Sequence, residues 1–284
     1  MLQGRDDSMQ TKKKRITRTV AYVLLTIYSI ITIYPFLWAF LASFKPYSEI
    51  VRIGAPLFSS NMSLTNYQYI FTQDPMFPHW IVNSLFIAIV GTALNILFNS
   101  MGGYALARLS FPGRRTLFMV VLVCIMVPSQ ILLIPNYLIM KAFGILDSYN
   151  ALILPSAINF AYIFMMRQFF ITFPKELEES AQLDGLGRMG IFFRIVVPMA
   201  KSSIATQGIF VFMGFWNDFM RPLLYITSEN KYTLTLGLQS FQTQHGMQWN
   251  YIMAAAMITI LPIIFLYIIL NKYFMTGMRI GGEK

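Results

Sequence analysis

Long apolar runs, separated by short polar and charged stretches, dominate the pattern along the chain. Six of the runs reach the roughly 20 mostly apolar residues that an α-helix needs to cross a bilayer. They lie at 20–43, 81–107, 117–140, 151–170, 203–226 and 251–274. The pattern therefore predicts an all-α integral membrane protein with six transmembrane helices.

Small residues and prolines inside the runs predict how the helices pack and bend. Because small side chains let helix backbones approach closely, we expect the second span to be buried in the bundle. Its small residues include Gly91, Ser100, Gly102, Gly103, Ala105 and Ala107. Prolines are tolerated in a span where neighbouring groups satisfy the freed backbone, and they mark expected bends. They include Pro35, Pro128, Pro135, Pro155 and Pro262.

Composition and charge predict the orientation. Only 12% of the residues are charged and 56% are hydrophobic, whereas globular domains carry about 25% charged residues. The net charge of +10 comes from Lys and Arg near the ends of the runs, which is typical of cytoplasmic loops, so we expect no nucleic-acid partner. If the N-terminus is cytoplasmic, 17 of the 22 basic residues are inside. The outside retains Lys45, Arg52, Lys141, Arg221 and Lys231.

This asymmetry predicts a multi-pass protein of the bacterial cytoplasmic membrane with both termini inside. Basic residues 12–15 before the first run resemble the start of a signal peptide. A signal core is only roughly 7–15 residues long and ends at a small-residue cleavage site, so we expect a retained first span. The predicted division is a cytoplasmic segment, a first helix, a membrane core and a cytoplasmic tail. These occupy 1–19, 20–43, 80–274 and 275–284.

The chain holds few groups that could carry chemistry. Cys124 is the only cysteine, and His79 and His245 lie far apart near span ends, so neither a disulfide nor a metal cluster is expected. A Gly-x-Gly-x-x-Gly pattern at 185–190 follows an acidic helical stretch and not a strand, and no phosphate loop is present. We therefore predict no catalytic residue, no metal and no cofactor.

Asp218 is the main ionisable residue of the spans, close to the outer end of the fifth. Ionisable groups within a membrane are costly, and ion-coupled carriers keep them for their coupling ion. One interpretation of Asp218 is a proton relay in such a carrier. The other is a helix cap or an interface residue.

A charged loop at 171–201, which we call the coupling loop, has an ordered pattern. Pro174 suits the first position of a helix, and acidic residues in the first turns suit the positive end of the helix dipole. Gly185 can end this helix in a left-handed conformation. A second helix is expected from Gly187, with Phe192, Phe193 and Ile195 supplying apolar contacts. An ordinary solvated loop is the alternative.

The coupling loop resembles the "EAA" loop of ABC-importer permeases, with the family's spacing intact. The chain matches the motif at Glu179, Ala181, Gly185, Ile195 and Pro198. It departs from the motif at Ser180 and Val197. Further segments are similar to maltose-type carbohydrate permeases, in particular the six-span partner of a heterodimer. They are residues 104–108, 111–114, 127–129, 134–137, 216–219, 222–223 and 273–277.

The resemblance implies the type I ABC-importer permease fold and a subunit for di- or oligosaccharide uptake. The implied partners are a second permease, a cytoplasmic ATPase dimer that hydrolyses ATP, an extracellular solute-binding protein and the lipid bilayer. The implied ATPase-coupling residues are Glu178, Glu179, Ser180, Ala181, Asp184, Gly185, Ile195 and Pro198. We expect Glu178 and Glu179 to be exposed, facing a basic or polar cleft of the ATPase.

Candidate contacts for sugar or binding protein lie towards the outer side. They are Asn217, Asp218, Gln239, Gln242, Gln244, Trp249 and Asn250. Amide and aromatic groups suit a sugar, but a solvated loop with the same residues is equally ordinary. Two alternative functions remain, an ABC permease for a polyol or glycerol phosphate and an ion-coupled secondary carrier.

Overall fold

The computed structural model describes residues 3–54, 56–59, 61–243 and 246–280. Within these ranges, side chains are described from Arg15 to Asn271, apart from 242–246. The helices are α1 (Gln3–Ala42), α2 (Tyr47–Ile50), α3 (Thr65–Thr72), α4 (Phe77–Arg108), α5 (Arg114–Ile125), α6 (Leu133–Ala142), α7 (Tyr149–Ala157), α8 (Phe160–Ile171), α9 (Glu176–Leu183), α10 (Arg188–Ile191), α11 (Val197–Met199), α12 (Lys201–Trp216), α13 (Met220–Tyr225), α14 (Leu234–Gly237) and α15 (Trp249–Ile280). A π-helical turn (Phe192–Val196), two 3-10 turns (Glu229–Lys231 and Leu238–Phe241) and two short strands, β1 (Gln242–Thr243) and β2 (Gly246–Met247), complete the elements.

Three described helices are long and apolar enough to cross a membrane unbroken. They are Arg15–Ala42 within α1, the whole of α4, and Trp249–Asn271 within α15. Two bent pairs also qualify, α7 with α8 at an angle of 41° and Arg188–Met199 with α12 at 81°. By length and composition, the described residues are thus consistent with the six predicted spans and support three to five spans directly.

The third predicted span, 117–140, is not one helix. α5 ends at Ile125, and α6 begins only at Leu133. Pro128 lies in the break. A proline has no N–H to donate and disfavours helical geometry in the residue before it, so the apolar run continues while the helix does not. Proline was expected to bend this span, and it interrupts the helix altogether.

Helix α4 is the centre of its bundle and packs against α7, α8 and α12. Close approach depends on its glycines. A Cβ added to Gly91 would lie 2.5 Å from the Phe215 ring, and one added to Gly103 would lie 2.7 Å from the Cβ of Met166. The prediction of a buried second span lined by small residues is therefore confirmed, since any larger side chain at these two positions would force the helices apart.

Two asparagines of α4 satisfy the broken backbone between α7 and α8. The Asn95 side-chain amide donates to the Ser156 carbonyl (2.7 Å) and that of Asn99 to the Ala157 carbonyl (3.2 Å). The Asn99 side-chain oxygen accepts the backbone N–H of Asn159 (2.9 Å). A helix can be broken inside a membrane only where neighbouring groups replace the lost hydrogen bonds. The polar face of α4 thus makes the bend between α7 and α8 possible.

By its internal contacts the chain divides into two compact units. One comprises the chain up to Ile70 together with Thr243–Met257, and the other comprises Phe71–Gln242 and the chain from Ile258 onward. In the first unit, the buried Asn66 side chain donates to the carbonyl of Ser43 (2.8 Å) and accepts from the Asn250 amide (2.9 Å). These bonds tie the chain after α1 to α3 and to the start of α15.

In the second unit, the segment 226–241 lies over the first turns of α4. The Trp80 indole donates to the Glu229 carbonyl (3.0 Å), and the Asn83 amide donates to the Asn230 carbonyl (2.9 Å). The hydroxyl of Ser84 accepts the backbone N–H of Leu234 (2.7 Å). Because these side chains bond backbone groups of the segment, the segment is held in one arrangement on the helix.

Asp147, between α6 and α7, anchors the start of the same segment. Its carboxylate accepts the backbone N–H of Thr227 (3.0 Å), the N–H and hydroxyl of Ser228 (2.9 and 2.5 Å) and the Lys231 ammonium (2.9 Å). Burial by itself raises the pKa of the Asp147 carboxyl, but these hydrogen bonds outweigh it and hold the pKa well below its ordinary value. The carboxylate therefore stays charged, and the anchor stays intact, through the mildly acidic range.

Candidate functional site

The coupling loop folds as a short helix, a tight glycine turn and a second helix. α9 starts at Glu176 with three acidic residues in its first turn. Gly185 has φ +82°, its N–H donates to the Gln182 carbonyl (3.0 Å), and the Leu186 N–H donates to the Ala181 carbonyl (3.0 Å). This paired pattern is a Schellman motif, which a left-handed glycine permits. The predicted helix terminator is confirmed.

The start of the first helix differs from the prediction in one detail. Pro174 was expected at the first helical position, but Lys175 is the N-cap residue, and Pro174 lies just before it. The Lys175 carbonyl accepts the first helical hydrogen bond, from the N–H of Glu179 (3.0 Å). The proline therefore directs the chain into the helix from outside.

The underside of the loop is apolar and packs on the membrane helices. A buried cluster joins side chains of the loop to α4 and α8, with Leu186 and Ile195 packed at its edge. Its members are Tyr104, Ala107, Met166, Phe170, Ala181, Ile191, Phe192, Val196 and Ala200. The expected apolar contacts are confirmed for Phe192 and Ile195, whereas Phe193 is 48% exposed. Burial of this face gives the loop a fixed position instead of a solvated, variable one.

Glu178 is buried, so the expectation that it is exposed is wrong. Its carboxylate lies 3.1 Å from the Arg108 guanidinium, and the two side chains are only 9% and 6% exposed. The Tyr104 hydroxyl donates to the same carboxylate (2.9 Å), and Arg108 also donates to the Phe173 carbonyl. A rotation of about 100° per residue separates Glu178 from Glu179 on the helix, and it turns Glu178 towards α4.

The loop also has an exposed side. Five of the eight predicted coupling residues are exposed, and they are Glu179, Ser180, Asp184, Gly185 and Pro198. Ala181 and Ile195 belong to the packed face. Leu183 is 90% exposed beside the glycine turn. An acidic helix with an exposed apolar side chain at its end is thus presented on a packed base.

Two further arginines, for which the sequence predicted no such role, bind the end of α4. Arg114 donates to the carbonyls of Leu106 (2.9 Å) and Ala107 (2.8 Å), and Arg167 donates to that of Leu106 (3.3 Å). The Arg167 guanidinium also lies 3.6 Å from the centre of the Phe118 ring. Cations at a helix C-terminus satisfy its last carbonyls and oppose its negative dipole end. The available signal for Arg114 was its position just after an apolar span, whereas Arg167 lies inside the predicted span 151–170 and had no such signal.

The residues predicted to contact sugar or binding protein are only partly available. Asn217, Gln239 and Trp249 are exposed. Asp218 forms an ion pair with Arg221 (2.5 Å), and Arg221 also donates to the Ser156 hydroxyl. Gln244 lies outside the described residues, as do His245 and the last residues of the tail, 281–284, and the side chain of Gln242 is not described.

Asn250 is buried against Asn66. The Asn217, Gln239 and Trp249 side chains remain free for a contact, whereas those of Asp218 and Asn250 are engaged within the chain.

Apolar helices, broken spans and a loop packed on the membrane helices together describe a multi-pass membrane protein. The chain belongs to the family of binding-protein-dependent transport system inner membrane components, whose model matches residues 99–280. The family resemblance predicted from the coupling loop is thereby confirmed. The homologues of this chain are transport permease subunits, which is consistent with the expected non-enzymatic role.

Relatives and solved structures agree with this membership. The chain is 37% identical to the arabinooligosaccharides transport system permease protein AraQ of Halalkalibacterium halodurans, with 95% of this chain and 99% of the relative covered. It is 32% identical to the lactose transport system permease protein LacG of Rhizobium radiobacter, with 97% and 100% covered.

A chain of a bacterial ABC transporter involved in alginate import superposes with a TM-score of 0.83 at 23% identity, over 92% of this chain and 97% of that one. The predicted fold class, the all-α ABC-importer permease fold, is confirmed by this likeness.

Proposed function

We propose that this chain is one of two permease subunits of an ABC importer that takes up oligosaccharides across the cytoplasmic membrane. A second permease would complete the pathway, a binding protein would deliver the sugar, and ATP would be hydrolysed on a pair of partner ATPase subunits. The family and the names of relatives that carry arabinooligosaccharides and lactose support this proposal.

The observation that carries the proposal is the two-sided coupling loop. Its inner face packs on α4 and α8, while its outer face presents Glu179 and the 90% exposed Leu183 next to a rigid glycine turn. Helices that dock in a groove of a partner do so through apolar side chains, and Leu183 is the apolar side chain of α9 that is most exposed for such a contact. In this proposal, Leu183 enters an apolar groove of the ATPase, and Glu179 meets a basic residue at its rim.

The other predicted coupling residues divide between the two faces of the loop. Ser180 and Asp184 are exposed and would belong to the docking face, and Gly185 sets the turn between the two helices. Ala181 and Ile195 hold the loop from beneath, and the exposed Pro198 leads into α12. A movement of the ATPase would therefore displace the loop as a unit.

The proposed orientation of the chain in the membrane follows from the proposed role of the coupling loop. The coupling loop must lie in the cytoplasm to meet an ATPase, and this side is the one that the basic residues favour. Both termini, 1–19 and 275–284, are then cytoplasmic, with 80–274 forming the permease core. On the outer side, Asn217, Gln239, Gln242 and Trp249 are the proposed contacts for binding protein or sugar.

Ion-coupled transport is disfavoured. The candidate relay, Asp218, forms an ion pair with Arg221 and is therefore engaged within the chain. The pairing favours a structural role for Asp218 at the join of α12 and α13.

The test is solute uptake by a strain in which this permease is deleted and then restored on a plasmid. Labelled arabinooligosaccharides, lactose, a polyol and glycerol phosphate are supplied in turn. We expect uptake of an oligosaccharide that depends on ATP and persists when the ion gradient is collapsed. Uptake of only the polyol or glycerol phosphate, or uptake abolished by the collapse, would refute the sugar importer.

The variant Glu179→Lys tests the docking face directly. Reversal of this exposed charge should reduce co-purification of the ATPase and uptake at least about tenfold, an effect within the range of an interface hot spot. Glu176→Lys is the matched control, because it reverses an exposed charge in the same first turn and carries the same helix-dipole cost of about 0.3–1 kcal/mol. Equal loss in both variants would show a dipole effect and not a contact.

A further inference from the structure

A polar connection joins the coupling loop to α4 in the middle of an apolar contact. Glu178 on α9 is bonded by Tyr104 and Arg108, which lie one turn apart near the end of α4. Arg108 continues to the carbonyl of Phe173, at the start of the loop. The surroundings are the apolar side chains of the cluster beneath the loop, including Ala107, Phe170 and Ala181.

Stability alone does not explain this arrangement. A buried ion pair loses hydration that its mutual attraction often fails to restore, and apolar side chains of similar volume serve at least as well. The pair is also imperfectly aligned, since Arg108 Nε and Glu178 Oε1 lie 3.1 Å apart without a hydrogen bond of good geometry. The attested advantage of a buried polar group is that it specifies register between elements that could otherwise slide.

The register of α9 on α4 matters because α4 connects the coupling loop to the segment 226–241. α4 is one unbroken helix of 32 residues. Its last turn holds Glu178, and its first turns bind the segment 226–241 through Trp80, Asn83 and Ser84. A shift of α9 that carries α4 with it would therefore reach the opposite end of the same helix.

We propose that Arg108 and Tyr104 are positioning residues that hold Glu178, and so lock α9 to α4 in one register during transport. This inference rests on the proposed function, in which α9 receives the movement of the ATPase. It assigns Glu178 to a contact inside the subunit, while Glu179 keeps the contact with the ATPase. Loss of the lock leaves the loop docked but lets it slide on its apolar base, so that ATP is hydrolysed without translocation.

The experiment uses the importer complex purified through a tag on this chain and reconstituted in liposomes with labelled arabinooligosaccharide. The key variant is the double substitution Arg108→Met with Glu178→Met, which fills the space with flexible apolar side chains. We expect normal membrane levels, normal co-purification of the ATPase and a ratio of ATP hydrolysed to sugar imported at least about fivefold higher, the lower end of a coupling between linked sites.

Two outcomes would overturn the inference. A purely structural pair predicts that the double variant, free of unpaired charge, imports sugar at the wild-type ratio. Loss of ATPase co-purification in the double variant would place Glu178 in docking. The exposed control Glu176→Gln, on the same helix, should keep the wild-type ratio, and Tyr104→Phe should raise the ratio less than the double variant does.

A second measurement needs no partner. Amide hydrogen exchange of the purified chain in detergent reports local opening of α9. We expect Glu178→Gln to speed exchange in α9 at least about tenfold, and Glu176→Gln to leave it unchanged. Unchanged exchange in both would overturn the lock. If instead no ATPase co-purifies with the wild-type chain, the proposed function fails, and the exchange result still decides whether the lock exists.

Discussion

Two neighbouring carboxylates on α9, those of Glu178 and Glu179, have different surroundings because their side chains point in different directions. Glu178 is buried against Arg108 and Tyr104, and Glu179 is exposed beside it. Their local sequence context is nearly the same, and only the rotation of the helix over its packed face distinguishes them. The two carboxylates can therefore serve different purposes. A buried carboxylate with hydrogen-bond partners can hold one helix against another, and an exposed carboxylate can contact a partner protein.

Gly185 is the residue whose replacement should harm the loop most selectively. Its φ of +82° is strained for any residue with a Cβ, although no neighbouring atom lies within 4 Å of an added Cβ. Gly185→Val should therefore cost about 1–3 kcal/mol of local backbone strain. We expect normal insertion of the bundle, weaker ATPase co-purification and strongly reduced uptake.

Two further variants distinguish the effect of backbone conformation at Gly185 from the effect of side-chain size. Gly187 has φ −72° and equal open space, so Gly187→Val should be tolerated. Gly185→Asn should restore much of the activity, because asparagine accepts the left-handed conformation more readily than valine does. Wild-type uptake by Gly185→Val, measured beside these controls, would show that the turn does not matter for coupling.

At the scale of elements, broken helices are stabilised by side chains of other helices. The bend between α7 and α8 leaves backbone groups that Asn95 and Asn99 of α4 satisfy. Gln207 of α12 extends the row, as its amide donates to the Asn95 side chain (3.0 Å). Buried amides stiffen a core through such hydrogen bonds, although the side-chain oxygen of Gln207 has no partner among the described residues.

Asn99→Leu tests this role of α4. Leucine has a similar volume but leaves the Asn159 N–H and the Ala157 carbonyl without their partner, which should cost roughly 1–3 kcal/mol of stability. We expect a lower midpoint of thermal unfolding in detergent. Phe98→Leu, at the adjacent exposed position of the same helix, is the control and should change the midpoint little. An unchanged midpoint for Asn99→Leu would mean that the bend does not depend on α4.

At the scale of the whole molecule, the apolar surface is far larger than a water-soluble chain tolerates. In α1, every described side chain from Arg15 to Trp38 is exposed, although most of them are apolar. A helix that is apolar all round is stable only in lipid or against other membrane helices. Membrane insertion is therefore part of how this protein folds, as its family membership also requires.

The topology can be measured by labelling single cysteines from each side of the membrane. In a Cys124→Ser background, Ile53→Cys, which is fully exposed, should react with an impermeant reagent from outside. Arg115→Cys, exposed at the start of α5, should react only after the cells are opened. Because basic residues are retained in the cytoplasm, the reverse pattern would contradict the proposed orientation.

The sequence alone predicted the features that depend on residues close together in the chain. Hydropathy located the apolar spans, small residues marked α4 as the buried helix, and the spacing around Gly185 predicted both the turn and the family. Each of these reflects a transfer free energy or a backbone preference of residues close together in the chain. Pro128 likewise predicted a bend in the third span, but the sequence did not predict that the helix would be interrupted from Ile125 to Leu133.

Only the tertiary structure decided which polar groups meet. Tyr104 and Glu178 are 74 residues apart in the chain, and Asn99 and Ala157 are 58 apart. The partner of a buried polar group is set by which helix faces pack together, and neither hydropathy nor motif spacing specifies those faces. The direction of Glu178, the capping of α4 by Arg114 and Arg167, and the support of the bend between α7 and α8 were therefore decided by packing across the bundle.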